Sequence, residues 1–313
     1  HLYTGFDADT HPSAPARRVA EQIGIEFRSV DCRHSFREAV VDYFIASYAE
    51  GKTPSPCVVC NRRIKFDILL NEARAVGASA LATGHYARIG KAPDGRLLLL
   101  KGIDQGKDQS YFLCRLTQAH LKRALFPLGG YEKVRVQAMA DAAGLVSSNS
   151  RESQELCFVN THTYKDFLSR YGNLAARPGS IVNLAGDVLG RHEGLHGYTI
   201  GQRRGIGVPG PEPYYVIGMD MRENKLVVGS KSALRSRRCT VANINWIGMK
   251  PPTGPVWART RLRYRHSEAG SVLFPRESGP VRVVFVRSQK AVTPGQAAVF
   301  YQGNKVLGGG WIV

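Results

Sequence analysis

The sequence lacks the features of membrane and secreted proteins. Its longest purely apolar runs, such as Leu97–Leu100, are far shorter than the ~20 residues that a membrane span needs, and no signal peptide opens the chain. Six cysteines in 313 residues are too few for a disulfide scaffold and are typical of a reducing compartment. The sequence therefore predicts a soluble, cytoplasmic protein.

Acidic residues are also scarce. The chain has 25 Asp and Glu against 43 Lys and Arg, which gives a formal charge of +18, and the excess is spread along the chain. Such a balance favours a polyanionic partner. Because 313 residues with 43% hydrophobic content exceed an ordinary single domain, we expect two or three domains.

Residues 1–171 alternate short apolar runs with helical periodicity, which predicts an α/β domain with a largely parallel sheet. The strand expected over 78–83 ends at Gly84-His85, where such a sheet presents its ligand loops. Residues 86–102 indicate a hairpin that turns at Asp94-Gly95. The spacing predicts helices over 14–24, 36–50, 61–76, 117–124, 132–143 and 163–171.

Helical periodicity disappears beyond Tyr171. We expect a small central domain over 172–236 and a C-terminal β-barrel or sandwich over 237–313, where apolar and polar residues alternate between Gly and Pro turns. The chain begins at His1 instead of Met, and residues 2–5 read as the end of a strand. A further N-terminal segment is therefore expected.

The segment from Thr53 to Phe66 contains a Cys-x-x-Cys motif at Cys57 and Cys60. If a helix begins at Cys60 or Asn61, its unpaired amide hydrogens favour a thiolate there, and three cations (Arg62, Arg63 and Lys65) add positive charge. That pattern predicts a nucleophile of low pKa. The alternative is a structural pair or half of a zinc site, although no second Cys-x-x-Cys occurs to complete one.

The other cysteines fall into two groups. Cys157 lies among polar turn residues and is a second candidate for chemistry. Cys32, Cys114 and Cys239 read as ordinary buried small hydrophobes.

Four arginines occupy alternate positions in the segment 256–265, at 259, 261, 263 and 265. A strand would place all four on one face and the intervening residues on the other. Like charges in a row repel unless an anion screens them, so we favour phosphate contact over a merely solvated face.

Seven strings occur in order along nearly the whole chain, and together they resemble the tRNA-specific 2-thiouridylase family. They are Thr53 to Phe66, Ala82-Thr-Gly-His-Tyr-Ala-Arg88, Lys107-Asp-Gln-Ser-Tyr-Phe-Leu113, Ser153-Gln-Glu-Leu-Cys-Phe158, Tyr198-Thr-Ile-Gly-Gln-Arg-Arg-Gly205, Arg263-Tyr-Arg265 and Ala291-Val-Thr-Pro-Gly-Gln-Ala-Ala-Val-Phe300. The resemblance implies a PP-loop ATPase-like domain, a small central domain and a C-terminal β-barrel that binds tRNA.

The resemblance also implies an activity. Such enzymes use ATP, with Mg²⁺, to adenylate carbon 2 of the wobble uridine and then replace its oxygen by sulfur. Cys157 matches the cysteine that carries a persulfide from a sulfur-donor protein, and Cys60 matches the thiol that attacks this persulfide. Thr4 and Gly84 match the edge of the nucleotide pocket.

Contacts with the anticodon region of tRNA follow from the same resemblance. The extruded base would meet Ser55, Pro56, Cys57, His85, Lys107, Asp108 and Gln109. The C-terminal domain would contribute Arg263, Tyr264 and Gln296. His85 has an ordinary alternative as a buried histidine at a strand end.

Two features depart from the family pattern. The pyrophosphate-binding string Ser-Gly-Gly-x-Asp-Ser does not occur in this sequence, and we expect it before His1. Cys57 stands where one branch of the family has Asp. Cys57, Cys60 and Cys157 could therefore hold a 4Fe-4S cluster with one iron open to sulfide, as an alternative to the persulfide route.

Two other classes of protein compete with this enzyme. One is a non-catalytic RNA-binding protein derived from it. The other is a thiol redox or metal-binding protein that uses the Cys-x-x-Cys motif, which explains the cysteines but not the charge.

Overall fold

The computed structural model describes residues 1–5, 13–145, 156–159, 163–172, 174 and 176–313. In the N-terminal region β1 (Leu2–Tyr3) pairs in parallel with β2 (Val30–Asp31), and β3 (Leu81–Ala82) pairs in parallel with β6 (Ala124–Leu125). The parallel pairing predicted here is confirmed. The strands are shorter than predicted because only two residues of each have ladder partners.

Each predicted helix is present with somewhat different ends. The helices are α1 (Ala14–Gln22), α2 (Arg33–Phe36), α3 (Tyr43–Ala49), α4 (Pro56–Cys60), α5 (Leu70–Ala75), α6 (Gln118–Leu121), α7 (Lys133–Ala142) and α8 (Tyr164–Gly172). Two π-helical segments, Arg37–Asp42 and Asn61–Leu69, make 33–49 and 56–75 continuous helices. No described helix is long and apolar enough to cross a membrane.

The hairpin predicted over 86–102 is confirmed as β4 (Ala87–Lys91) and β5 (Leu97–Lys101). Gly95 in its turn has a φ of 84°, which glycine adopts without strain. Unexpectedly, β5 also pairs with the C-terminal sheet, at Lys305 opposite Leu100. The hairpin therefore ties the N-terminal region to the C-terminal one.

The central region is a four-stranded sheet with the order β8-β7-β10-β9. Its strands are β7 (Gly179–Val182), β8 (Val188–His192), β9 (Tyr215–Asp220) and β10 (Lys225–Gly229). Ile181, Val216, Leu226 and Val228 fill its core.

The C-terminal region is a closed barrel with the order β11-β14-β13-β12-β15-β16, completed by the pairing of β11 with β16. Its strands are β11 (Arg235–Asn245), β12 (Val256–Arg261), β13 (Ala269–Phe274), β14 (Val281–Lys290), β15 (Ala297–Gln302) and β16 (Lys305–Ile312). Closure removes the exposed edges that a sandwich would leave.

One hydrophobic core spans the N-terminal region and the barrel. Val58 and Phe66 of helix 56–75 pack in the same cluster as Val299, Tyr301 and Val306 of the barrel. Because this helix carries the Cys-x-x-Cys motif, its position is fixed directly by the C-terminal region.

Candidate active site

The site begins where helix 56–75 begins. Pro56 occupies the first helical position, where a missing N–H costs nothing. Cys57 is exposed and Cys60 is partly buried, while Val58 between them points into the core. Residues three apart on a helix are neighbours, so the two thiols share one side of the first turns.

Cys157 approaches these thiols from a distant part of the chain. Its neighbour Phe158 packs edge-on against Phe44 with ring centroids 5.3 Å apart, and Cys60 packs against the same core. A charge on Cys157 acts on both Cys57 and Cys60. The structure thus brings the three thiols together, including the predicted pair Cys60 and Cys157.

Although Cys57 and Cys157 are exposed to solvent on one side, the protein atoms around all three thiols desolvate them and make them weak acids. This burial raises the pKa of Cys57 to about 11 and that of Cys60 to about 12, and it also raises the pKa of Cys157. The Lys65 ammonium opposes this rise in all three pKa values, but burial outweighs it. The prediction of a low-pKa Cys60 is wrong, because the helix begins at Pro56 and its unpaired amides do not lie at Cys60.

The other two cations predicted to act on the thiols have different neighbours. Arg63 lies 3.7 Å from Asp67, one helical turn further on. Arg62 stands near Arg115, whose pKa is lowered by burial and also by the Arg62 charge. Lys65 is therefore the cation of this helix that faces the thiols.

The three thiols do not form a metal site. Within the described residues, which include Cys57, Cys60 and Cys157, no group of three or more His, Cys, Asp or Glu side chains is placed to hold a metal ion. All three cysteines are free. The iron–sulfur alternative and the half-zinc interpretation therefore have no support from the geometry.

His85 lies near Lys65 as a buried, neutral side chain. Burial, reinforced by the Lys65 charge, lowers its pKa to about 3. Its Nδ1 atom is 2.7 Å from the Thr83 hydroxyl, and its ring meets Phe126 edge-on at 6.0 Å. An imidazole in this setting does not carry a proton near neutral pH.

Thr4 and Gly84 lie at corresponding positions in the two parallel pairs. Thr4 follows β1 and Gly84 follows β3, so both are at carboxyl ends of strands, where open α/β sheets bind ligands. A Cβ on Gly84 would meet Leu128 at an ordinary 3.6 Å. Their assignment to the nucleotide pocket stays a prediction.

Asp108 and Gln109 of the Lys107-Asp-Gln string form hydrogen bonds within the protein. Asp108 is 3% exposed, accepts hydrogen bonds from the Gly102 amide (3.2 Å), the Ser110 amide (3.1 Å) and the Ser110 hydroxyl (2.9 Å), and pairs with Arg261 at 3.4 Å. Gln109 accepts a hydrogen bond from the Tyr86 amide at 3.0 Å. Lys107 is half-buried. Their predicted contacts with the base stay predictions.

The loop before Cys57 is attached to the barrel by Gln296. The Gln296 amide nitrogen donates to the Thr53 carbonyl at 3.0 Å and to the Pro54 carbonyl at 2.9 Å. The Ser55 hydroxyl accepts a hydrogen bond from the Ala297 amide at 3.3 Å. Ser55 and Gln296 therefore hold this loop in place. Their predicted contact with tRNA stays a prediction.

The prediction that four arginines share one strand face is wrong. Strand β12 ends at Arg261, so Arg263 and Arg265 lie in the following turn and not on the strand face. Arg259 pairs with Glu268 at 3.5 Å. Arg263 donates to the Ile200 carbonyl of the central region at 2.9 Å and also contacts the Thr293 hydroxyl.

Tyr264, in the same turn, packs against the N-terminal region. Its ring lies 4.3 Å from that of Phe112, and the Arg261 guanidinium lies 5.3 Å from it on the ring face. Arg263 and Tyr264 thus connect regions of the protein. Their predicted contact with tRNA stays a prediction.

Three family models match the chain. They are the tRNA methyl transferase HUP domain over residues 7–161, the tRNA methyl transferase PRC-barrel domain over 165–230 and the Aminomethyltransferase beta-barrel domain over 236–312. The chain is 46% identical over 297 residues to the tRNA-specific 2-thiouridylase MnmA of Geobacter metallireducens. This match covers 95% of this chain and 80% of the relative.

Two further relatives carry the same name. The protein of Chloroflexus aurantiacus is 46% identical over 300 residues, 96% of this chain and 84% of its own. That of Magnetococcus marinus is 43% identical over 298 residues, 95% of this chain and 83% of its own. This chain belongs to the tRNA-specific 2-thiouridylase family.

Membership of the 2-thiouridylase family confirms the resemblance and the predicted fold class: a nucleotide-binding α/β domain, a central domain and a C-terminal barrel. The domain bounds at 171 and 236 stay predictions.

The structure adds residues that the sequence patterns did not single out. Thr53 and Thr199 bring their hydroxyls to 3.4 Å, which joins the N-terminal and central regions. Gly201 and Gly295 occur within two of the family strings, and glycines at such positions can indicate a close approach between regions. Both have a positive φ, and a Cβ on Gly295 would stand 2.8 Å from the Thr53 carbonyl oxygen.

Proposed function

We propose that this protein is a tRNA-uridine 2-sulfurtransferase that adenylates carbon 2 of the wobble uridine with ATP and delivers sulfur from a persulfide on Cys157. Relatives 43–46% identical to it are named tRNA-specific 2-thiouridylases. The observation that carries the proposal is the convergence of Cys157 with Cys60, beside Lys65, from distant positions in the N-terminal region.

The reaction transfers one sulfur atom to the uridine and consumes one ATP. The uridine O2 attacks the α-phosphorus of ATP, and pyrophosphate leaves. The terminal sulfur of the Cys157 persulfide then attacks carbon 2, and AMP leaves with the oxygen. Cys60 attacks Sγ of Cys157, which breaks the S–S bond, leaves sulfur on carbon 2 and forms a Cys60–Cys157 disulfide. A dithiol reductant restores both thiols.

The neighbouring residues have defined roles in this scheme. A thiol must lose its proton before it attacks, and the Lys65 charge stabilises the thiolate against the burial that opposes it. Cys157 is exposed, as a residue must be to receive sulfur from a donor protein. Thr4 and Gly84 would line the ATP pocket, with Mg²⁺ on the phosphates. Lys107, His85 and Pro56 would surround the extruded base.

The test is thiolation of a tRNA with uridine at the wobble position, measured as 2-thiouridine by mass spectrometry with ATP, a persulfide donor and a dithiol. Cys157→Ser should abolish both the product and the persulfide label on the protein. Cys60→Ser should retain the label and lose the product. A Cys157→Ser variant that still thiolates would overturn the assignment.

Two further variants sharpen this test. Cys57→Ser should retain the persulfide label and measurable product. If the enzyme instead depends on an iron–sulfur cluster, this variant should form no product, and the wild type purified anaerobically should contain iron. Cys239→Ala, in the barrel core, removes a thiol far from the cluster and should retain both label and product.

A further inference from the structure

Two paired strands of the barrel carry a concentration of positive charge. Six exposed cations lie on β11 and β14, and neither strand contains an Asp or Glu. They are Arg235, Arg237, Arg238, Arg282, Arg287 and Lys290, and we refer to them as the basic ribbon. The two strands are far apart in sequence, so antiparallel pairing creates this surface.

The ribbon cations have no acidic partner within the described residues. Arg235 donates to the Ser288 hydroxyl at 3.1 Å, Arg237 donates to the Val286 carbonyl at 2.8 Å, and Arg282 lies over the Phe274 ring. The side chains of Arg238, Arg287 and Lys290 make no described polar contact. By contrast, Arg259 and Arg261 on β12, elsewhere in the barrel, pair with Glu268 and Asp108.

The strand register places two of these charges against each other. Arg235 lies directly opposite Lys290 in the antiparallel ladder. Like charges in directly opposed positions destabilise a sheet. Such a pair is offset when an anion binds across both strands.

We propose that the basic ribbon binds the phosphodiester backbone of a helical arm of the tRNA substrate. The identity of this occupant rests on the function proposed above, whereas the affinity for RNA phosphates rests on the ribbon itself. Five of the six cations are arginines, whose planar fork binds phosphate oxygens in pairs. The paired part of the ladder, from Arg235 to Val241, is about 20 Å long, enough to follow several phosphates.

The adjoining loop of the central region continues the positive surface. Gly201 lies against Ala291, directly after the ribbon, since a Cβ on Gly201 would stand 2.7 Å from that of Ala291. Arg203 and Arg204 in this loop are exposed and have no described ionic partner. The same RNA arm can therefore meet the barrel and the central region.

The test uses the full chain with Arg238, Arg287 and Lys290 all changed to Ala, because these side chains make no described contact that the fold would lose. Affinity for an unmodified tRNA should fall about 10- to 100-fold at moderate salt, and the slope of log K against log salt should flatten by about 2. The matched control changes three exposed cations elsewhere, Lys91, Arg222 and Lys250, to Ala. It removes the same net charge and should retain both affinity and slope.

A single substitution separates binding from folding. Lys290→Glu would replace the opposed like charges by an ion pair with Arg235, so the melting temperature should rise while tRNA affinity falls. If Lys290 served only the fold, the melting temperature and the tRNA affinity would change in the same direction.

The outcomes also distinguish this proposal from the function above. An unchanged affinity and slope in the triple variant, or equal losses in the control, would overturn the ribbon proposal even if the wild type thiolates tRNA. Binding of phosphatidylserine vesicles that is lost in the triple variant, with tRNA binding unchanged, would assign the ribbon to lipid instead. Lost tRNA binding would support it even if the wild type formed no 2-thiouridine.

Discussion

The contacts that hold the barrel to the N-terminal region differ in kind from the thiol cluster beside them. In the first region polar groups are paired: Gln296 donates to two carbonyls of the loop before Cys57, and Asp108 accepts from Arg261 and from its own neighbours. In the second, neutral thiols and one ammonium lie together where burial disfavours every thiolate. The contacts between the barrel and the N-terminal region therefore hold the fold in position, and the thiol cluster contains the groups that react.

This difference gives the largest expected effect at Asp108. Asp108→Ala would leave the Arg261 guanidinium, which is largely buried, without its carboxylate and the Ser110 hydroxyl without its nearer partner, so we expect a loss of about 3 to 5 kcal/mol in the free energy of unfolding. Urea unfolding followed by circular dichroism measures this loss. Asp108→Asn keeps an acceptor for the two amides and should cost less.

Asp94→Ala is the matched control, because Asp94 is exposed in the β4–β5 turn and accepts one hydrogen bond, from the Arg96 amide at 3.1 Å. It should cost no more than about 1 kcal/mol. Equal losses at Asp94 and Asp108 would mean that the pairing of Asp108 with Arg261 does not hold the two regions together.

The thiol cluster should ionise at higher pH than an activated nucleophile, whose alkylation would already be near its maximum at pH 8. Burial raises the pKa of Cys57 from its usual 9.0 to about 11, so the thiolate fraction increases about tenfold per pH unit up to that point. Alkylation of Cys57 by iodoacetamide should therefore rise about 100-fold from pH 8 to pH 10, read by peptide mass spectrometry.

The same peptide in urea-unfolded chain is the control for this measurement. With a pKa near 9.0 its alkylation should rise only about tenfold over the same range, because ionisation is half complete at pH 9. Folded and unfolded curves that coincide would show that the cluster does not suppress the thiolate. Lys65→Met should lower the folded rate further, since the remaining cation is removed.

The sequence supported the fold well where periodicity and ordered strings were long. The helices, the β4–β5 hairpin and the barrel all followed from local patterns. The attachment of β5 to β16 did not, because one pair of residues, Leu100 and Lys305, joins strands about 200 positions apart. Contacts of that separation leave no periodic signal.

The sequence predicted which cysteines lie near each other but not how acidic they are. Cys60 and Cys157 converge as the resemblance implied, but the pKa of Cys60 could not be derived from spacing because burial, which depends on the whole fold, outweighs the charge of Lys65. The arginine stripe failed for a related reason: β12 ends at Arg261, where the chain turns to bring Arg263 to Ile200.

Gln296 gives a smaller effect that tests whether the two regions are coupled. Gln296→Met keeps the volume of the side chain but removes the donors to Thr53 and Pro54, so stability should fall by about 1 to 2 kcal/mol. Thiolation should fall further than stability explains, because this loop positions Cys57 and the start of its helix. Gln302→Met, at the end of the strand β15 that follows Gln296, is exposed and has no described side-chain hydrogen bond; it is the control and should change neither stability nor thiolation. If Gln296→Met loses stability and thiolates at the wild-type rate under conditions where it is fully folded, the paired region supports the fold without positioning the thiols.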